Sequence, residues 1–96
     1  MSVIAEVSIF PMDKGISVSP YVTRAVDIIK KSGLDYVLGP MGTSIEGQWQ
    51  EVIHVIDLCF QDLKTDCDRV YLTLKIDYRK GEGKPLQTKV ESVKKS

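Results

Sequence analysis

Leu34-Asp35-Tyr36-Val37-Leu38-Gly39-Pro40-Met41-Gly42-Thr43-Ser44-Ile45-Glu46-Gly47 is the segment on which the fold turns. Leu34–Leu38 and Thr43–Glu46 read as two short strands around Gly39-Pro40-Met41-Gly42, whose glycines and proline signal a tight turn. The segment therefore predicts a β-hairpin in the middle of the chain, with Gly47 ending its second strand.

Outward from the hairpin the period changes from two to that of a helix on both sides. From Gln48 to Leu63 the residues Trp49, Val52, Val55, Ile56, Cys59, Phe60 and Leu63 make one apolar stripe. On the N-terminal side, Val22, Ala25, Val26 and Ile29 make another, with Arg24, Asp27, Lys30 and Lys31 largely opposite it. Ser19-Pro20 is expected to open that helix, because serine can accept from the free amides of the first turn and proline has no amide to lose. Ser32-Gly33 closes it.

Farther out, both flanks return to alternation. Val3, Ala5, Val7 and Ile9 occupy every second place in Val3–Phe10, ahead of Pro11. Val70, Leu72, Leu74 and Ile76 alternate with Tyr71, Thr73, Lys75 and Asp77 across Val70–Tyr78. Beyond Gly81, Gly83 and Pro85, the stretch Leu86–Lys95 is expected to form a short final helix with Leu86, Val90 and Val93 inward. The order is βαββαβ, an α+β ferredoxin-like sandwich. Right-handed crossovers place both long helices on one face of a four-stranded antiparallel sheet. At 96 residues the chain is expected to make a single domain, 1–96.

Composition narrows the function classes. A hydrophobic share of 43% and a charged share of 27% are those of a globular protein, and 13 basic residues balance 13 acidic ones. Such a balance gives no field that draws nucleic acid or a membrane surface. Lys75, Arg79, Lys80, Lys84, Lys89, Lys94 and Lys95 gather late in the chain and read as a solvated face. Met1 to Phe10 alternates instead of forming a leader, and no apolar run approaches the ~20 residues of a membrane span, so a cytoplasmic location is expected. Cys59 and Cys67 fit neither a zinc pair nor a CxxC motif, and read as ordinary thiols, the first in the core and the second in a loop.

The sheet face without helices is the informative one. Alternation assigns it Ile4, Glu6, Ser8 and Phe10, with Tyr71, Thr73, Lys75 and Asp77, and with Ser44 and Glu46 from the hairpin. Acids, hydroxyls and aromatic groups together make a poor wet surface, and burial against a second copy is the natural remedy. Catalytic parts are scarce. His54 falls on the polar side of the second helix, and no GxSxG, HExxH, P-loop or Rossmann pattern occurs. Glu6 and Glu46 could form an acid and base pair, but binding a cation or pairing with Lys75 is the plainer reading. The chain is therefore expected not to be an enzyme, and to need neither metal nor cofactor.

Ala5-Glu6-Val7-Ser8-Ile9-Phe10-Pro11, Ser19-Pro20-Tyr21-Val22 and above all Tyr36-Val37-Leu38-Gly39-Pro40-Met41-Gly42-Thr43-Ser44-Ile45-Glu46-Gly47 resemble the small thiamine-binding protein family. Arg69-Val70 and Asp77-Tyr78-Arg79 fit it too. The resemblance implies a ferredoxin-like domain that forms a dimer, often a dimer of dimers, and binds thiamine or its hydroxymethylpyrimidine part near the sheets and subunit contacts. Glu6 or Glu46 would balance the thiazolium charge, and Ser8, Tyr36, Thr43 and Ser44 would meet the aminopyrimidine. The alternative is a homo-oligomeric regulatory or interaction module with no small-molecule ligand.

Overall fold

A computed structural model describes residues 2–80. It contains β1 (Val3–Pro11), α1 (Ser19–Lys31), β2 (Asp35–Leu38), β3 (Thr43–Gly47), α2 (Trp49–Lys64) and β4 (Val70–Tyr78). The strands form one antiparallel sheet in the order β2-β3-β1-β4, the ferredoxin-like arrangement expected from βαββαβ. The expected final helix over Leu86–Lys95 lies outside the described residues.

Alternation sorts the sheet as anticipated. Val3, Ala5, Val7 and Ile9 of β1 and Ile45 of β3 turn to the helices and are buried with Ala25 and Ile29 of α1 and Val52, Val55, Ile56, Cys59 and Leu63 of α2. β4 is less well covered than its pattern suggested. Its helix-side residues Val70, Leu72 and Leu74 are only half-buried and Ile76 is exposed, because β4 is an edge strand and α2 lies chiefly over β1.

Both helix starts differ in detail from expectation. Ser19 already lies inside α1, and the carbonyl of Val18 accepts the first amides, from Tyr21 at 3.0 Å and Val22 at 3.1 Å. Ser19 makes no side-chain cap, while Pro20 occupies the first turn as its missing donor allows. α2 begins with the Gln48 N–H donating to Glu51 Oε1 at 3.2 Å. Trp49, the first residue of α2, is 53% exposed and does not join the stripe behind it.

Cysteine placement follows the chemistry of thiols in apolar surroundings. Cys59 is in the core, and burial, reinforced by the charge of Asp62, pushes its thiol up to about 11. It stays protonated near neutrality and is a packing group. Cys67 is in the loop after α2 but is buried there, which raises its thiol as well. Both are free.

Arg24 is less solvated than one helix's period implies, because it faces the end of α2. Its Nε donates to Asp62 Oδ2 at 3.0 Å, Nη1 to Asp66 Oδ2 at 2.9 Å, and Nη2 to Asp66 Oδ1 and the Asp62 carbonyl, each at 3.0 Å. The guanidinium also stands 5.6 Å from the centre of the Tyr21 ring. Hydrogen bonds from Arg24 hold the Asp66 carboxyl below its ordinary value of 3.8. A carboxyl depressed by folding stabilises the fold above its unfolded pKa, and that contribution fades as pH falls through the lower folded value. Arg24→Ala should therefore lower Tm at neutral pH, with the gap from the parent closing below pH 3.8. Thermal melts across pH 2 to 7 check this, and a gap independent of pH would contradict it.

Candidate functional site

The site grows from a mismatch in strand length. β1 has nine residues and β3 has five. Their ladder runs from Val3↔Gly47 to Val7↔Thr43 and stops, while β1 goes on pairing with β4 as far as Pro11↔Val70. Ser8 to Phe10 thus have a strand neighbour on one side only.

On the other side the hairpin turns away. Gly39 N–H donates to the Gly42 carbonyl at 2.9 Å and closes the turn. The approach is so close that a Cβ on Gly39 would stand 2.8 Å from the Gly42 oxygen. A Cβ on Gly42 would stand 3.1 Å from the Val7 carbonyl oxygen and 3.3 Å from Glu6 Cγ. Val18, just before α1, with Val22 and Val26 of α1, closes the remaining side.

The result is a cleft of about 250 Å³ between β1, the hairpin and α1. Its walls are mostly apolar and none of its lining residues carries a charge. Ser8 and Thr43 bring hydroxyl-bearing residues to it, and Leu38 and Met41, both strongly exposed, lie along it from the hairpin. Such a space favours a small neutral ring over a charged or extended ligand.

Charge stands around the corner, on the face without long helices. There the register aligns Val37, Ser44, Glu6 and Lys75 in one row, Ser8 with Thr73 in the next, and Phe10 with Tyr71 beyond. Lys75 Nζ is 3.8 Å from Glu6 Oε1, an exposed pair that contributes little to stability. Phe10 and Tyr71 stack with ring centres 5.7 Å apart. Because Glu6 Cγ lies against Gly42, this acid borders the cleft from the open face.

The six residues singled out in the sequence are therefore split. Thr43 lines the cleft from the helix side, and Ser8 lines it at the free edge of β1, although alternation puts its side chain on the open face with Glu6 and Ser44. Tyr36 is half-buried on the helix side, opposite Ile45, and does not line the cleft. Glu46 is 7% exposed and pairs in register with Ile4 and Asp35, one row beyond Glu6. Glu6 stands beside Lys75, one of the partners considered for it. Among the described residues no group of three or more His, Cys, Asp or Glu side chains is placed to hold a metal.

A second, wider groove of about 460 Å³ lies between the end of α1 and α2, with Ile28, Leu34, Val55 and Leu58 along it and Lys31, Glu51 and His54 at its edges. None of the six residues lines it, and His54 is exposed there as its helix position predicted. Val18, Val22 and Val26 line the cleft without having been singled out in the sequence as site residues. The available signal was the short third strand beside a long first one, which leaves the α1 stripe without a full sheet beneath it.

The profile of the family described as thiamine-binding protein matches residues 5–94. A UPF0045 protein of Methanocaldococcus jannaschii is 38% identical over 91 residues, spanning 95% of this chain and 91% of its own length. A crystal structure of a protein from the same organism superimposes with a TM-score of 0.91 at 37% identity, covering 99% of this chain and 98% of that one. A Thermotoga maritima structure, described as a candidate thiamine biosynthesis or salvage protein, gives a TM-score of 0.86 at 25% identity, over 97% of this chain and 99% of that one. Among the described residues no helix is long and apolar enough to cross a membrane.

Proposed function

Because this chain belongs to the thiamine-binding protein family, we propose that it binds thiamine or its hydroxymethylpyrimidine part without transforming it. The pyrimidine occupies the cleft between β1, the hairpin and α1, and the thiazolium of thiamine turns to Glu6. The observation that carries this reading is the cleft itself: small, uncharged and mostly apolar, with Ser8 and Thr43 in its lining and an acid at its border. A neutral ring is desolvated cheaply in such a space, while a permanent cation gains most from a carboxylate that stays near water. Ser44, beside Glu6 in register, is the remaining polar contact.

Self-association belongs to the same proposal. Tyr71 and Val37 are exposed on the open face, and Leu38 and Met41 are exposed on the hairpin. A second copy covering these groups removes them from water and brings a subunit contact close to the ligand. The location expected for such a protein is the cytoplasm.

Calorimetric titration with thiamine and with hydroxymethylpyrimidine tests the reading. Saturable heat is expected for both, and no heat or thermal shift with either ligand at millimolar concentration would overturn it. The two ligands also separate the roles of the charges. Glu6→Gln should weaken thiamine several-fold and leave the neutral pyrimidine unchanged. Lys75→Met, which frees the Glu6 carboxylate from its neighbour, should strengthen thiamine alone. Parallel changes for both ligands would remove Glu6 from the cation's surroundings.

A further inference from the structure

In an antiparallel ladder a residue's N–H and C=O point to the same neighbouring strand, and those of the next residue point to the opposite side. Met12 N–H donates to the Arg69 carbonyl at 2.7 Å, continuing the unbroken register that pairs Pro11 with Val70 and Ile9 with Leu72. Counting back from Met12, positions 10, 8, 6 and 4 address β4, and positions 9, 7, 5 and 3 address β3. The ladder to β3 ends at Val7↔Thr43. The N–H and C=O of Ile9 therefore point to where β3 would have continued, on the side of the cleft that Ile9 helps to line. No strand among the described residues answers them. Pro11, the next position with that orientation, has no N–H, so on this stretch of β1 Ile9 is the residue that offers a donor and an acceptor together.

We infer that the Ile9 backbone reads the heteroaromatic ring, pairing with it as a further strand residue would. This rests on the pyrimidine-binding reading above and names the group that recognises the ring. A 4-aminopyrimidine presents a ring nitrogen that accepts and an adjacent amino group that donates, which matches one strand residue's N–H and C=O. An open strand edge commonly captures a partner's backbone in this way, and a flat ring with the same donor and acceptor order captures it in miniature. The flanking surface suits the ring's faces, since Val22 and Val26 of α1 line the same cleft.

Pairing with Ile9 sets a selectivity. A 4-oxo pyrimidine carries its acceptor and donor in the swapped order, so it pairs with Ile9 only after the ring is turned over, which sends its 5-substituent the wrong way. A 4-dimethylamino analogue has no proton to give the Ile9 carbonyl. In a mostly apolar cleft each leaves a backbone group unanswered, so both should bind roughly tenfold or more weakly than the 4-amino compound.

The test uses the full chain labelled with 15N and titrated with 4-amino-5-hydroxymethyl-2-methylpyrimidine, followed by the 4-oxo and 4-dimethylamino analogues. The Ile9 amide resonance is expected to move with the binding curve and its exchange with solvent to slow, with both analogues weaker by the stated factor. Saturable binding that leaves the Ile9 amide unmoved, or equal affinity for the 4-oxo analogue, overturns this inference while the binding function stands. No saturable shift at any amide with the 4-amino compound overturns both.

Discussion

Ile45→Ala is expected to lower the free energy of unfolding by about 3 to 5 kcal/mol, the upper part of the range for truncating a buried isoleucine. Ile45 is fully buried and stands at the centre of the sheet, opposite Ala5 of β1 on one side and Tyr36 of β2 on the other. Ladders on both sides keep the backbone from collapsing into the space, and the small side chain of Ala5 cannot fill it. A chain of this length has roughly 5 to 14 kcal/mol in all, so the loss is a large share of its stability. Urea denaturation should show a lower midpoint with an unchanged slope, and Ile45→Val a drop of only about 1 kcal/mol. A loss below 1 kcal/mol for the alanine variant would mean that β3 is not seated on the core as described.

Gly39→Ala should show the second large effect, and on ligand binding more than on folding. The added Cβ would stand 2.8 Å from the Gly42 oxygen, the atom that accepts the Gly39 N–H. Backbone cannot swing aside as a flexible side chain does, so the turn opens and carries Leu38 and Met41 with it. Those two residues line the cleft, and affinity for hydroxymethylpyrimidine should fall about tenfold, equivalent to about 1.4 kcal/mol. Gly33→Ala is the control. Gly33 has a φ of 79° and open space around it, so alanine there strains the end of α1 without touching the cleft. Calorimetry and thermal melts on both variants separate the effects, and unchanged affinity in Gly39→Ala would remove the hairpin from the site.

These expectations draw on features of unequal visibility in the sequence. The hairpin, the two helices and the outer strands are legible because each carries its own period, and the order of elements leaves few topologies once crossovers are right-handed. Ser19 and Trp49 are misread because a stripe and a cap signal do not say at which residue a helix begins. Arg24 is misread for a different reason. Its partners Asp62, in the last turn of α2, and Asp66, just beyond it, are distant in the chain, and no pattern within α1 announces them.

The site is harder to read than the fold because neighbours in sequence are not neighbours on a face. Thr43 and Ser44 are adjacent in the chain, yet Thr43 lies with the cleft and Ser44 with Glu6 on the open face. The motif from Tyr36 to Glu46 therefore looks like one constellation and is distributed over two. The backbone of Ile9 is invisible to any reasoning from side chains. It becomes apparent only when the lengths of β1 and β3 are compared.

The most direct measurement is a crystal structure of the full chain grown with hydroxymethylpyrimidine. The ring is expected in the cleft, edge toward Ile9 and near Thr43, with the hairpin turn closed over it. A ring bound instead on the open face between Glu6 and Tyr71, or in the groove between α1 and α2, with the cleft filled by water alone, would contradict it.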